Sequence, residues 1–550
     1  MPSPDPKPRR RRESIARAAV LGRHAARALA CVAIVTSAAT CQLNGDEHML
    51  GEKDLYYPTG LVVSAGGSTL YVANSDFDLQ FSGGSVHAVD AAALRAAVAP
   101  IALGLASGDG ASAACSAAGL GLNLDPFLNP GPCAPIAYAP LVRASVYVGA
   151  FASGLMLAYD PRAAGARLFA PVRGDPSVTF FDVADDRAGG SEPFALDCGR
   201  TGSGFCGDAH RIGRDADRSQ RGLQLPPDPV GIASSTNGEA VVSAHPSQAA
   251  ASLVVNPWEE TPFLSYFAGD LAPGPTEIAS VPRPAFVAAA EAQATLAGLS
   301  FIYRDAFVVT YRGAAQLDVL QYVRDSGSVP SRPFIARAQQ VPITTSSSNT
   351  DHRGVAVLSS ERAACEASCG SAAGDVECLA ACAETIPLRV FVASRSPESL
   401  LLGRIETVVL RGTSVVDGVT TARITGAFDL VTLDDALPLD FGASRVETGR
   451  VIAEDGTAVD RVFAVAFDSR RVFIVDPYRA RIEGVVRTGR GPHDIAIDQG
   501  VANGEAYSYL YVGHFTDSYL GVVPLDLRRA LTYGSMIATV GTPLPPIDTL

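Results

Sequence analysis

The stretch RVFAVAFDSRRVFIVDPYRARIEGVVR, residues 461–487, is the most complete copy of a unit that recurs along the chain. Its first run, Val462-Phe463-Ala464-Val465, pairs β-branched and aromatic residues with a small one, which suits a tightly packed strand. Its second, Val472-Phe473-Ile474-Val475-Asp476, ends in an acid. The unit leads through Thr488-Gly489-Arg490-Gly491-Pro492 into the next one.

The first of these strands has six counterparts: Leu70–Asn74, Val146–Gly149, Val241–Ala244, Phe307–Thr310, Val390–Ala393 and Leu510–Gly513. Several follow a strand that opens on a turn, as in Pro58-Thr59-Gly60, Pro229-Val230-Gly231, His352-Arg353-Gly354 and Pro492-His493-Asp494. This pattern resembles the YVTN-type repeat of lactonase-like seven-bladed β-propellers, and Tyr71-Val72-Ala73-Asn74 is nearly the family tetrapeptide. The resemblance implies an all-β fold of seven four-stranded blades around a channel over residues 57–550. It also implies that any active site lies at one end of the channel.

The recurring strands stand 48 to 95 residues apart, against about 40 to 50 for an uninterrupted blade. Insertions are therefore expected at about 105–138, 160–227 and 358–387, and they hold eight of the ten cysteines. Cys115 with Cys133 and Cys198 with Cys206 read as loop staples. In Cys365-x3-Cys369-x8-Cys378-x3-Cys382 each i, i+4 pair shares a helix face. An antiparallel helical hairpin, with Ser360 and Asp375 capping the helix starts and Gly370 ending the first, brings Cys365 opposite Cys382 and Cys369 opposite Cys378. A zinc tetrathiolate competes, but zinc favours two-residue spacings.

Residues 1–40 carry eight bases and two acids, then an apolar run from Ala28 to Ala39, too short for a bilayer-spanning helix of roughly 20 residues. Ser37-Ala38-Ala39-Thr40-Cys41 resembles a bacterial lipobox, with Thr40 where a smaller residue is usual. Residues 1–40 are read as a signal peptide, Cys41 as the lipidated residue and 41–56 as a tether. Gln42 resembles sorting to the outer membrane of a Gram-negative cell. The net charge of −13 becomes −19 without the leader, which excludes nucleic acid as a partner.

Strands within a blade are antiparallel, so the loop before its first strand and the loop after its second meet at one channel end. Those loops offer Asp228, His352, Arg353, His493 and Asp494, then Asn74, Asp76, His245, Arg312, Arg395, Asp468, His514 and Asp517. His493 and His514 belong to one blade, flanked by Asp494 and Asp517, and are the pair expected to be closest, with structural hydrogen bonding the favoured role. No catalytic set, resident metal or cofactor is read from the chain. It has no Gly-x-Ser-x-Gly elbow, His-Glu-x-x-His helix, phosphate loop or Cys-x-x-Cys-His. The Asp182-Asp185-Asp186, Asp208-Asp215-Asp217 and Asp434-Asp435-Asp440 groups lack calcium-loop spacing.

The functional expectation is a non-enzymatic binding or scaffolding module of the cell envelope, its partner a protein or small molecule. The alternative is a lactonase-like hydrolase with a metal or histidine site at the channel end.

Overall fold

The computed structural model describes residues 48–550 except 163–164, 188–192, 220, 325–331, 345–349, 371–374, 417–418, 503 and 546–550. Residues 1–40, read above as a signal peptide, and Cys41 lie outside the described residues. Seven antiparallel sheets follow one another along the chain, each a contiguous segment, and together they form the seven blades. The innermost strands begin with Pro58–Val63, Met156–Tyr159, Ile232–Ser234, Pro275–Ser280, Thr350–Leu358, Ala443–Ile452 and Pro492–Ala502.

Second strands such as Thr69–Asn74, Ala240–His245 and Ala306–Tyr311 are buried at every position. They have a neighbouring strand on each side and a neighbouring blade on each face. Tyr71, Ala73 and Val86 of blade 1 pack in one cluster with Leu168, Ala170 and Phe181 of blade 2. This sheet-on-sheet contact recurs around the ring, and it selects short β-branched, aromatic and small side chains.

One strand is placed differently from its reading. Val146-Tyr147-Val148 lies in the fourth strand of blade 1, where Val86 pairs with Val146, and the second strand of blade 2 is Ala166–Val172. A short buried strand has the same composition in either place, and only its hydrogen-bonding partner tells them apart. Cys115 and Cys133 consequently sit inside blade 1, between its third and fourth strands. The Cys198–Cys206 staple lies between Leu196–Asp197 and Arg211–Ile212, which both pair with the third strand of blade 2.

All four disulfides form with the expected pairing. Helices Ser360–Ser368 and Val376–Thr385 make the hairpin between the first two strands of blade 5. Asp375 caps the second helix by accepting from the Cys378 amide, and Gly370, at φ +80°, follows the first. Ser360 does not cap. It is the first helical residue, and its hydroxyl donates to Asp460 instead. The hairpin packs with helix Phe286–Leu296 on the long strands Glu398–Val416 and Val419–Pro438 through Phe286, Val376, Ala380, Val409 and Ile424.

The ring closes without strand exchange. Asp494 in blade 7 accepts from the Leu61 amide of blade 1 at 2.8 Å, and Arg95 meets Asp498 at 2.6 Å. Ile136, from the blade 1 insertion, bridges Val540 in the last strand. No helix among the described residues is long and apolar enough to cross a membrane.

Candidate functional site: the channel mouth

In blades 1, 4, 5, 6 and 7 the first strand starts with a register shift against the second. A bulge of this kind re-aims one side chain. The residues at this position, Thr59, Thr276, Arg353, Ser444 and His493, join Ser153 and Val230 as a ring around a cavity of about 400 Å³ at the channel end.

The next residue in each blade forms the ring beneath. It is glycine in four blades: Gly60, Gly154, Gly231 and Gly354. A Cβ on Gly60 would stand 2.7 Å from the Gly154 carbonyl carbon, and one on Gly354 2.8 Å from the Arg445 Cα. At Gly60, Gly231 and Gly354 the neighbouring inner strand approaches too closely for a side chain, whereas a Cβ on Gly154 would meet nothing within 4 Å. The other three blades place Glu277, Arg445 and Asp494 at this level. The Arg445 guanidinium binds Glu277, sits 2.9 Å from Asp494, and lies 3.5 Å from Glu447, two residues further down its own strand. Glu277 and Arg445 line both the mouth and a second cavity of about 550 Å³ that continues down the channel.

This cluster holds three carboxylates against one guanidinium. Burial pushes the Glu447 carboxyl up to about 7; Arg445 opposes that rise, while Asp494 and Glu277 add to it. Glu277 is raised by burial too, against the pull of Arg445. Burial alone would lower the Arg445 pKa, but its three carboxylates hold it above its ordinary value. A carboxyl poised near neutrality beside a fixed cation is a feature of functional clefts.

The rim above has two different arcs. On one, Asp351 accepts two bonds from Arg353, at 2.7 and 3.0 Å, and Arg312 stands 3.5 Å away. Burial favours protonating Asp351, yet the Arg353 hydrogen bonds and the charges of Arg353, Arg312 and Arg395 hold it below the usual carboxylate range. Arg395 also pairs with Asp468, and Arg173 with Asp228. The Arg312 side chain is 52 % exposed. On the other arc, Phe467, His493, Phe515, Phe77 and Phe151 form a chain of ring contacts at 5.0 to 6.4 Å.

Among the sequence-derived candidates, Asp228, Arg312, Arg353, Arg395, Asp468 and His493 line this mouth. Asp494 lies just beneath it. The other candidates are tied up elsewhere. His514 stacks on Tyr519 at 4.0 Å, accepts from the Gly489 amide and contacts the Val512 carbonyl; burial lowers its pKa to about 3. Asp517 pairs with Arg490 at 2.5 Å. His493 stands against Phe515, so the four groups proposed around the two histidines are bound up in separate contacts.

His245 bonds Ser252, and burial lowers it to about 4. Asn74 donates to Ser85, and His352 is fully buried. Asp76, buried in the loop after Asn74, accepts from the Phe81 amide, and burial raises it to about 6. The only metal-like grouping of histidine, cysteine or acidic ligands among the described residues is Cys369, Cys378 and Cys382, all in disulfides.

Glu277, Arg445 and Glu447 were not among the sequence candidates. The recurring glycine was the available signal: Glu277, Arg445 and Asp494 stand at the position that is glycine in the other four blades.

No protein-family model matches the chain, and no curated protein does. Solved structures do. Kuenenia stuttgartiensis hydrazine synthase is 12 % identical, with a TM-score of 0.42 over 88 % of this chain and 98 % of that one. The Pseudomonas aeruginosa periplasmic gluconolactonase is 11 % identical, TM-score 0.36, covering 79 % and 86 %. A protein from Lactobacillus plantarum is 9 % identical, TM-score 0.40, covering 81 % and 89 %. Likeness at this level carries nothing about the chemistry of this chain.

Proposed function

We propose that the protein is a lipid-anchored propeller of the cell envelope that binds, at its channel mouth, a small anion with a flat apolar body. The observation that carries this reading is the two-sided rim: Arg312, Arg353 and Arg395 gathered around Asp351, with Arg395 also paired to Asp468 and the Arg312 side chain 52 % exposed, opposite the Phe77–Phe515 aromatic arc. Guanidinium groups recognise carboxylate and phosphate through paired hydrogen bonds, and aromatic faces take a ring or sugar face. Pockets of this kind use a few fixed polar groups within apolar walls.

Calorimetric titration with benzoate, glucuronate and inorganic phosphate tests the site. Binding of at least one organic anion is expected, weakened about tenfold or more by Arg312→Ala, since a charge-assisted hydrogen bond contributes about 1.5 to 3 kcal/mol. An affinity unchanged by Arg312→Ala and Arg353→Ala, or no binding of any organic anion, defeats the assignment.

A hydrolase reading is favoured by one feature, the Glu447 carboxyl near neutrality below the Arg445 floor. It predicts turnover of a lactone in a substrate panel and loss of that turnover in Glu447→Gln with anion binding intact.

A further inference from the structure

Between Arg95 and Arg143 the only charged residues are Asp109 and Asp125, in a chain of which 18 % is charged. This stretch contains the blade 1 insertion. Its tip exposes Leu122, Leu124 and Phe127 at 46, 94 and 77 %. The tip is also firmly held. Cys115–Cys133 staples it, the Asn123 amide donates to the Asn129 and Gly131 carbonyls, and Asp125 accepts from the Phe127 and Leu128 amides at 3.2 Å. Asn129 is bonded to the Thr539 hydroxyl of blade 7. Polar bonds thus fix a loop whose large apolar side chains face solvent, an arrangement that adds nothing to the core and suits an external apolar phase.

The place of this loop indicates which phase. Leu50 and Lys53, at the start of the described chain, line one cavity of about 460 Å³ with Tyr138 and Ala139 at the root of the insertion. The Leu50 carbonyl accepts from the Tyr147 hydroxyl in the strand the insertion leads into. Nine residues of tether from Cys41 reach at most about 30 Å. A lipid on Cys41 therefore keeps this edge of blade 1 close to a bilayer.

We infer that the Leu122–Phe127 tip enters the surface of the membrane that holds the anchor, giving the propeller a second contact and a fixed orientation. This rests on the lipid-anchor reading. With two acids and no base between Arg95 and Arg143, the fitting surface is zwitterionic, and the side chains embed at the boundary between headgroups and acyl chains.

The test uses the exported Cys41→Ser chain with its leader removed, mixed with phosphatidylcholine vesicles. Trp258 is the only tryptophan, so Phe127→Trp adds one reporter at the tip. Flotation with vesicles and a blue-shifted emission are expected. Leu124→Asp with Phe127→Asp should weaken the partition about a hundredfold, from the apolar burial lost, at an unchanged denaturation midpoint. Absence of flotation and of any emission shift overturns the proposal. So does a shift that depends on protein concentration and not on vesicles, which would make a second copy the occupant. Fractionation of cells producing Cys41→Ser decides the anchor separately: processed protein that stays on the membrane even in the tip double mutant removes the anchor reading, whereas the vesicle result decides the tip.

Discussion

Glu447→Gln should make the protein clearly more stable at pH 8 and only slightly more stable at pH 5, where about a quarter of the effect is present. The Glu447 pKa rises from 4.5 unfolded to about 7 folded, so the native state favours the protonated form. Stability from this group is fully present below the unfolded value and is lost as pH rises through the folded one. A tenfold change in proton affinity on folding corresponds to about 1.4 kcal/mol, so the full loss above pH 7 is about 3 kcal/mol. The side chain is 37 % exposed to the channel, and solvent screening reduces this to about 1.5 kcal/mol. Glutamine keeps the size and removes the charge, so it should recover that amount at pH 8. Urea denaturation of both proteins at pH 5, 6.5 and 8 measures it. The difference between them is the decisive quantity, because His87, His245, His514 and Asp76 also titrate across this range and cancel in the subtraction. A difference that is the same at pH 5 and pH 8 would show that Glu447 does not titrate in this window, and would remove the case for a neutral-range acid at the channel floor.

Burial lowers the folded pKa of His87 to about 3, below the ordinary 6.5, so its stabilising contribution is present above 6.5 and declines as pH falls. Going from pH 7 to 5 should cost about 2 kcal/mol at this residue, and His87→Gln should flatten that slope in parallel denaturation series. Replacing His493 and His514 together by alanine should lower thermal stability, by about 1 to 3 kcal/mol for each polar contact that His514 loses and further for the ring contacts of both, seen as an earlier calorimetric transition; an unchanged transition would contradict their assignment to structural contacts. Opening the Cys365–Cys382 bridge with two serines removes a closure over a sequence separation of 17 and should cost about 3 kcal/mol, read as faster proteolysis of the hairpin at unchanged channel-mouth binding.

Much of the architecture was legible from local pattern. Runs such as Val462–Val465 and Leu510–Gly513 announce buried strands, because a strand packed between two blades tolerates only a narrow set of side chains. The nested pairing of Cys365 with Cys382 and Cys369 with Cys378 follows from the i, i+4 spacing on two antiparallel helices, which is also local. Tertiary structure decided what depends on partners distant in the chain. Val146–Val148 looks like its six counterparts, and only its pairing with Val86 places it at the outer edge of blade 1. His493 and His514 are close in sequence, yet a bulge between Pro492 and Asp494 leaves one lining the mouth and the other stacked inside the blade. Arg445 and Glu277 are 168 residues apart and meet because the closed ring brings every first strand to one axis. Local composition reports how tightly a residue is packed; which charges face each other across the channel depends on how the seven blades close.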